Sequence, residues 1–226
     1  MTLPSGTIAL SQVNTELDIS PSSTTINMGA SAVRTLAEVP SGAIAMSNLQ
    51  GKSNAEFITA TGGTVTTSGD FKIHTFTGPG TFTVNSVGNT AGSTTIDYLV
   101  VSGGATGGTR FGGGGGAGGA KESYPNPATG GLPVSATGYP ITVGGGGGAS
   151  SAALSTTIST STGGGGGDGD NGNGSPGASG GGAAGRFSGN GGGSISGQGN
   201  PGGDSNGSPL GGDSYTGGGG GGKGGA

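Results

Sequence analysis

The chain has 226 residues, 62 of them glycine, with 8% charged and 28% hydrophobic side chains and no cysteine. So few apolar residues cannot build one large core, a net charge of −4 offers no basic stripe for nucleic acid, and disulfides and thiolate metal sites are excluded. Residues 1–5 lack a basic region followed by an apolar run, and no apolar stretch approaches a membrane span. The expectation is a protein made in the cytosol, without membrane insertion, and carried elsewhere by assembly or used there.

The first fifty-odd residues repeat. Thr7-Ile8-Ala9-Leu10-Ser11 returns as Thr25-Ile26-Asn27-Met28-Gly29 and as Ala43-Ile44-Ala45-Met46-Ser47. Leu3-Pro4-Ser5-Gly6 precedes the first copy and Val39-Pro40-Ser41-Gly42 the third. Each copy reads as a short strand entering a small polar cap. Ser11 would cap a helix to about Asp18, with Val13 and Leu17 inward; Ser31 would cap 32–38, with Val33, Leu36 and Ala37 inward. A unit this small is marginal alone, so residues 1–53 are expected to act as an attachment module. Its docking residues would be Ile8, Leu10, Ile26, Met28, Ile44 and Met46.

From 54 to 101 the texture is that of β-strands. Runs at 57–60, 64–67, 71–76, 81–84 and 96–101 are rich in β-branched and aromatic residues, and Gly62-Gly63, Ser68-Gly69-Asp70 and Gly78-Pro79-Gly80 separate them. This predicts a short-strand β adaptor. Its last strand, Tyr98-Leu99-Val100-Val101, runs straight into Ser102-Gly103-Gly104, as Tyr139-Pro140-Ile141-Thr142-Val143 runs into 144–148.

Residues 102–226 carry glycine blocks at 112–116, 144–148, 163–167, 191–193 and 217–222. Such a tract reads either as a flexible coil or as packed polyglycine II rods. Only glycine lets rods of that type lie backbone to backbone. Tyr124, Tyr139, Phe187, Ile195, Leu210 and Tyr215 punctuate the tract as a linker would not require. The expected fold is therefore mainly β, with a small α/β N-terminal repeat module and a C-terminal glycine-rich, polyglycine II-like bundle.

The paired Pro-Ser-Gly-x-Ile-x-(Leu/Met)-Ser units, with Gly51-Lys52-Ser53, resemble the N-terminal region of structural and tail-fibre proteins of tailed bacteriophages, cyanophages in particular. Phe71-Lys72-Ile73-His74-Thr75-Phe76-Thr77-Gly78, Thr81-Phe82-Thr83-Val84 and Tyr98-Leu99-Val100-Val101, followed by glycine blocks, are similar to the glycine-rich domain of phage fibres and adhesins. The resemblance implies a virion protein whose inter-rod loops touch the host. Domains of that type commonly close with an apolar strand, whereas this chain ends Gly222-Lys223-Gly224-Gly225-Ala226. A homo-oligomer, a trimer being usual for fibres, or a partner chain is therefore expected to complete it.

No enzyme chemistry is expected. Gly217 to Lys223 mimics a phosphate loop but has Gly224 where Ser or Thr should stand. Gly203-Asp204-Ser205-Asn206-Gly207 spells a nucleophile elbow without its strand and helix, and His74 is the only histidine. Asp168 and Asp170 are weak candidates for a hard cation, with an Asn/Asp/Gly turn as the plainer reading, so no cofactor or metal is expected. The receptor-contact candidates are Arg110, Phe111, Tyr124, Asn126, Arg186, Phe187 and Tyr215, since Arg and aromatic rings dominate binding hot spots. The same rings could instead pack beneath the rods. The expected function is that of a tail-fibre or adhesin component on the virion, with other virion proteins and a host surface glycan or protein as partners. A capsid or baseplate decoration without receptor binding is the alternative, and ice binding a third class.

Overall fold

The computed structural model describes residues 2–19, 25–89, 91–123, 131–169, 172–186, 188–206 and 216–223. In chain order it forms helices α1 (Leu10–Glu16) and α2 (Ser31–Ala37) and a 3₁₀ turn at Met46–Leu49. The strands are β1 (Thr59–Thr61), β2 (Thr64–Ser68), β3 (Phe71–Thr75), β4 (Gly80–Ser86), β5 (Thr95–Ile96), β6 (Leu99–Val101), β7 (Ala120–Glu122), β8 (Leu132–Pro133), β9 (Gly138–Thr142), β10 (Ser150–Ala153) and β11 (Thr157–Thr160). The fold is mainly β. A five-stranded sheet has the order β1-β4-β9-β10-β11, and β2-β3, β5-β8 and β6-β7 are two-stranded. Among the described residues no helix is long and apolar enough to cross a membrane.

The chain divides into two compact units. One comprises Met1–Ala60, Val84–Ile96 and Pro133–Thr137; the other comprises Thr61–Thr83, Asp97–Leu132 and Gly138–Ala226.

In the first unit, Leu3, Ile8, Val13, Val33, Leu36, Ala37 and Leu49 form a core. Val13, Val33, Leu36 and Ala37 are buried as their helical spacing predicts. The caps differ from expectation. Helix α1 starts after Ala9, whose N–H donates to Gln12 Oε1 at 2.7 Å, and Ser11 lies exposed in the first turn. The third copy repeats this with Ala45 N–H and Asn48 Oδ1 at 2.8 Å. In the second copy Asn27 Oδ1 accepts from Gly29 N–H, and α2 begins only at Ser31, after Ala30. None of the three copies forms the expected strand before its helix. In the first and third copies the side chain three residues on satisfies the amide at the cap, so no cap hydroxyl is needed there.

Leu3 N–H donates to Lys52 O and Gly51 N–H to Leu3 O, while Thr2 bridges Ser53, tying the start of the module to its end. Arg34 steadies the loop after α2, donating through Nε to Gly29 O, through Nη1 to Val39 O and through Nη2 to Gly42 O. Further on, Asn89 binds the 54–56 segment: its Nδ2 donates to Asn54 O, its Oδ1 accepts from Glu56 N–H, and its own N–H donates to Glu56 O.

In the second unit, β2 and β3 form a hairpin in the register Val65↔His74 and Ser68↔Phe71, turned at Gly69 with φ +56°. Val100, Ala152 and Ile158 form a small core with Tyr98, Leu132, Ile141 and Leu154 around them. The predicted strand over 96–101 is interrupted at Asp97-Tyr98, where Tyr98 N–H donates to Ser123 Oγ. The hairpin β10-β11, paired from Ser150↔Thr160 to Ala153↔Thr157, was not expected from the sequence.

Beyond the strands, the glycine-rich segments hydrogen-bond to one another through their backbones, and the bonds recur at every third residue. Ser102, Ala105 and Gly108 donate to Gly119, Gly116 and Gly113, an antiparallel pairing. Gly163, Gly166 and Gly169 donate to Gly103, Thr106 and Thr109, a parallel one. Residues 178–185 are buried and have neighbours on every side. Gly180 and Ala183 donate to Asn200 and Gly203, Gly181 and Ala184 to Ser175 and Gly172, and Gly182 and Gly185 to Gly114 and Phe111. In the same segment Ser179 and Gly182 accept from Gly164 and Gly167, Ala178 and Gly181 from Ile195 and Gly192, and Ala183 and Gly180 from Gly218 and Gly221. Backbone groups that side-chain burial would otherwise strand are paired with each other.

Candidate functional site

The hydrogen-bond directions decide which turns meet. Segments 102–108, 161–169, 178–185 and 198–205 run one way, because 163/166 pair in parallel with 103/106, 164/167 with 179/182, and 180/183 with 200/203. Segments 112–119, 172–177, 189–195 and 216–221 run the other way, since 174/177 pair in parallel with 190/193 and 114/117 with 218/221. Thr109-Arg110-Phe111, Asp168-Gly169 and Gly185-Arg186 therefore lie at one end of the glycine segment. The turn at 195–198, held by Gln198 N–H donating to Ile195 O, lies at the other.

The turns at the first end are bonded to each other. Asp168 Oδ1 accepts from Thr109 N–H at 2.5 Å and from Thr109 Oγ1 at 3.2 Å. Gly169 N–H donates to Thr109 O, and Gly185 N–H donates to Phe111 O at 2.7 Å. Arg110 and Arg186 are exposed, and Phe111 keeps 47% of its surface in solvent. Arg110 and Phe111 hold positive φ, +44° and +21°, a region unfavourable to residues with a Cβ. Two Arg-Phe sequences separated by 74 intervening residues thus bring their arginines to one end, where Phe111 is also exposed.

Of the other receptor-contact candidates, Tyr124, Asn126, Phe187 and Tyr215 lie outside the described residues, as does Asp170. Asp168 is described, and its carboxylate accepts from Thr109 of a neighbouring segment. Among the described residues no group of three His, Cys, Asp or Glu side chains is placed to hold a metal ion. The docking candidates of the N-terminal module mostly face its own interior. Ile8 is in the core, Ile26, Met28, Ile44 and Met46 pack against it, and Leu10 is 46% exposed.

His74 Nδ1 sits 2.8 Å from Gly62 O, with its ring edge-on to Phe82 at 5.1 Å. Ser205 is buried, and its Oγ accepts from Gly189 N–H. Lys223 Nζ reaches Glu122 at 3.3 Å.

Several working side chains escape a motif search. Asp204 Oδ1 accepts from Gly191 N–H, Asn173 Oδ1 from Asn190 N–H and Gln198 Oε1 from Ser161 N–H. These polar interruptions finish backbone donors that the next glycine segment does not reach. Their signal in the sequence is an Asn, Asp or Gln within a few residues of a glycine block. Compared with known proteins, the chain matches no family model, no curated protein and no solved structure.

Proposed function

We propose that the chain is a non-enzymatic bacteriophage virion protein, a tail-fibre or adhesin component. Its N-terminal residues 1–53 attach it to other virion proteins, and its glycine segment is a polyglycine II bundle presented to the host surface. The bundle reading draws its support from the three-residue recurrence of the inter-segment bonds, because a polyproline II-type rod has about three residues per turn and no bonds of its own. A rod of that type points its amides outward in three directions, the pattern of residues 180–185.

The observation that carries the adhesin reading is the gathering of Arg110, Phe111 and Arg186 at one end of this rigid element. Function commonly sits on loops held by a rigid scaffold. Binding of the labelled full chain to the bacterium on which the particle grows is the test, alongside a chain lacking residues 1–53. The deletion abolishes incorporation into particles and leaves cell binding intact. A full chain that enters particles but never binds cells returns the protein to the alternative, a capsid or baseplate decoration whose glycine segment is purely structural. The mutually satisfied interior of residues 178–185 is the feature that favours such a role.

A further inference from the structure

We propose that the cavity at the root of the β2-β3 hairpin binds a neutral saccharide. The proposal goes beyond the adhesin reading and does not depend on it. The chain enters the hairpin from β1 through residues 62–64 and leaves it towards β4 through residues 75–81, and these two passages line a cavity of about 360 Å³. That volume falls within the range of small-molecule sites, about 300–1,000 Å³. Every lining residue is among the described residues and belongs to the second unit.

The first ground is the seat of one ring. Phe76, half-buried in the cavity wall, lies against bare backbone: a Cβ at Gly62, Gly63 or Gly80 would stand 3.3, 3.1 or 3.2 Å from a ring carbon. At Gly80 the ring is all that a Cβ would meet within 4 Å, and φ there is not positive. Glycine at that position therefore serves to seat the ring. Gly62 is fixed in turn, its carbonyl 2.8 Å from His74 Nδ1. A ring held on backbone is preorganised for a ligand, and an aromatic surface takes the apolar C–H face of a sugar.

The second ground is the polar lining. Thr64 and Thr75, a cross-strand pair, stand with Thr77 and Thr81 around the cavity, all four exposed. Among the described residues nothing bonds to their hydroxyls. A hydroxyl both donates and accepts, as sugar hydroxyls require, and this density of hydroxyls around one ring favours a sugar over an apolar peptide. The third ground is charge. No Asp, Glu, Lys, Arg or His lines the cavity, so a carboxylate or phosphate losing its water there would find no opposite charge. The ligand is therefore uncharged.

The test is titration of the isotopically labelled full chain with oligomers of glucose, of mannose and of galactose, followed by amide NMR, with an oligogalacturonate as the charged comparison. Saturable shifts confined to 62–64 and 75–81 are expected with at least one neutral oligomer, and weaker binding of the oligogalacturonate. Phe76→Ala should weaken binding about tenfold. Thr75→Val with Thr77→Val keeps the β-branched shape, guards against a Phe76 variant that does not fold, and should weaken binding about fivefold. The proposal is overturned by the lack of a saturable shift at these amides with any of the three neutral oligomers, by undiminished binding in the threonine double variant, or by equal binding of the oligogalacturonate. Shifts at the same amides that grow with protein concentration, without sugar, would also overturn it, because a second copy of the chain would then cover the cavity. Sugar binding by a chain that never binds cells upholds the site and removes the adhesin reading alone.

Discussion

Glu16, at the end of α1, accepts a hydrogen bond from Asn54 N–H at 2.7 Å and from Ser53 Oγ at 3.1 Å through the same carboxylate oxygen, Oε1. Its side chain is 1% exposed, so the bond closes the N-terminal module from within. Glu16→Ala leaves the Asn54 amide without its acceptor and should cost about 1–3 kcal/mol. Glu16→Gln, which keeps one carbonyl oxygen, should cost less. Urea unfolding followed on the N-terminal unit checks the order; a neutral alanine variant contradicts the assigned role.

The glycine segment should discriminate sharply between neighbouring glycines. A Cβ at Gly180 would stand 1.8 Å from Gly192 O, whereas one at Gly193 meets nothing within 4 Å. Gly180→Ala must push two backbones apart and is expected to destabilise by about 3 kcal/mol or more, while Gly193→Ala stays within about 0.5 kcal/mol. Hydrogen exchange over 172–206 reads both, and equal effects would mean that the close approach is not maintained in solution.

Where strands become glycine segments, three buried hydroxyl residues meet. Ser102 Oγ donates to Thr160 O at 2.9 Å, lies 2.6 Å from Thr160 Oγ1 and accepts from Ser150 N–H at 2.8 Å. Removing the hydroxyl strands the buried Ser150 amide, so Ser102→Ala should cost about 1–3 kcal/mol. Faster exchange of the 99–105 and 158–164 amides is the expected signature, with β2-β3 unaffected.

Arg110→Gly should separate stability from binding. Relief of the positive φ is expected to stabilise the second unit by about 1 kcal/mol, measured by thermal unfolding. In the same variant cell binding weakens. A variant that gains stability and keeps full cell binding would show that the strain serves another purpose.

The inward faces of the helices were legible because Val13, Leu17, Val33, Leu36 and Ala37 follow helical spacing, and most strands were legible because Val, Thr and Phe cluster between glycine turns. The hairpin β10-β11 was not: Ser150 to Ala153 is built of small residues, and only Ile158 beside Thr157 and Thr160 hints at a strand. Helix α1 and the 3₁₀ turn of the third copy start ahead of their serines because Gln12 and Asn48 reach back to the amides of Ala9 and Ala45, a choice that local hydroxyl preference does not reveal.

By itself the sequence determined that 102–226 has too few large apolar side chains for one large core, and that order in its glycine blocks must come from backbone meeting backbone. It also offered Arg110, Phe111, Tyr124, Asn126, Arg186, Phe187 and Tyr215 as contact candidates, without telling which of them share an end. Which segments run side by side, and therefore which turns share an end, was decided only by the tertiary structure. Glycine segments carry no side-chain pattern to specify a neighbour. Their order and direction follow from the simultaneous pairing of amides three residues apart with several segments, a condition satisfied only once the whole set is assembled.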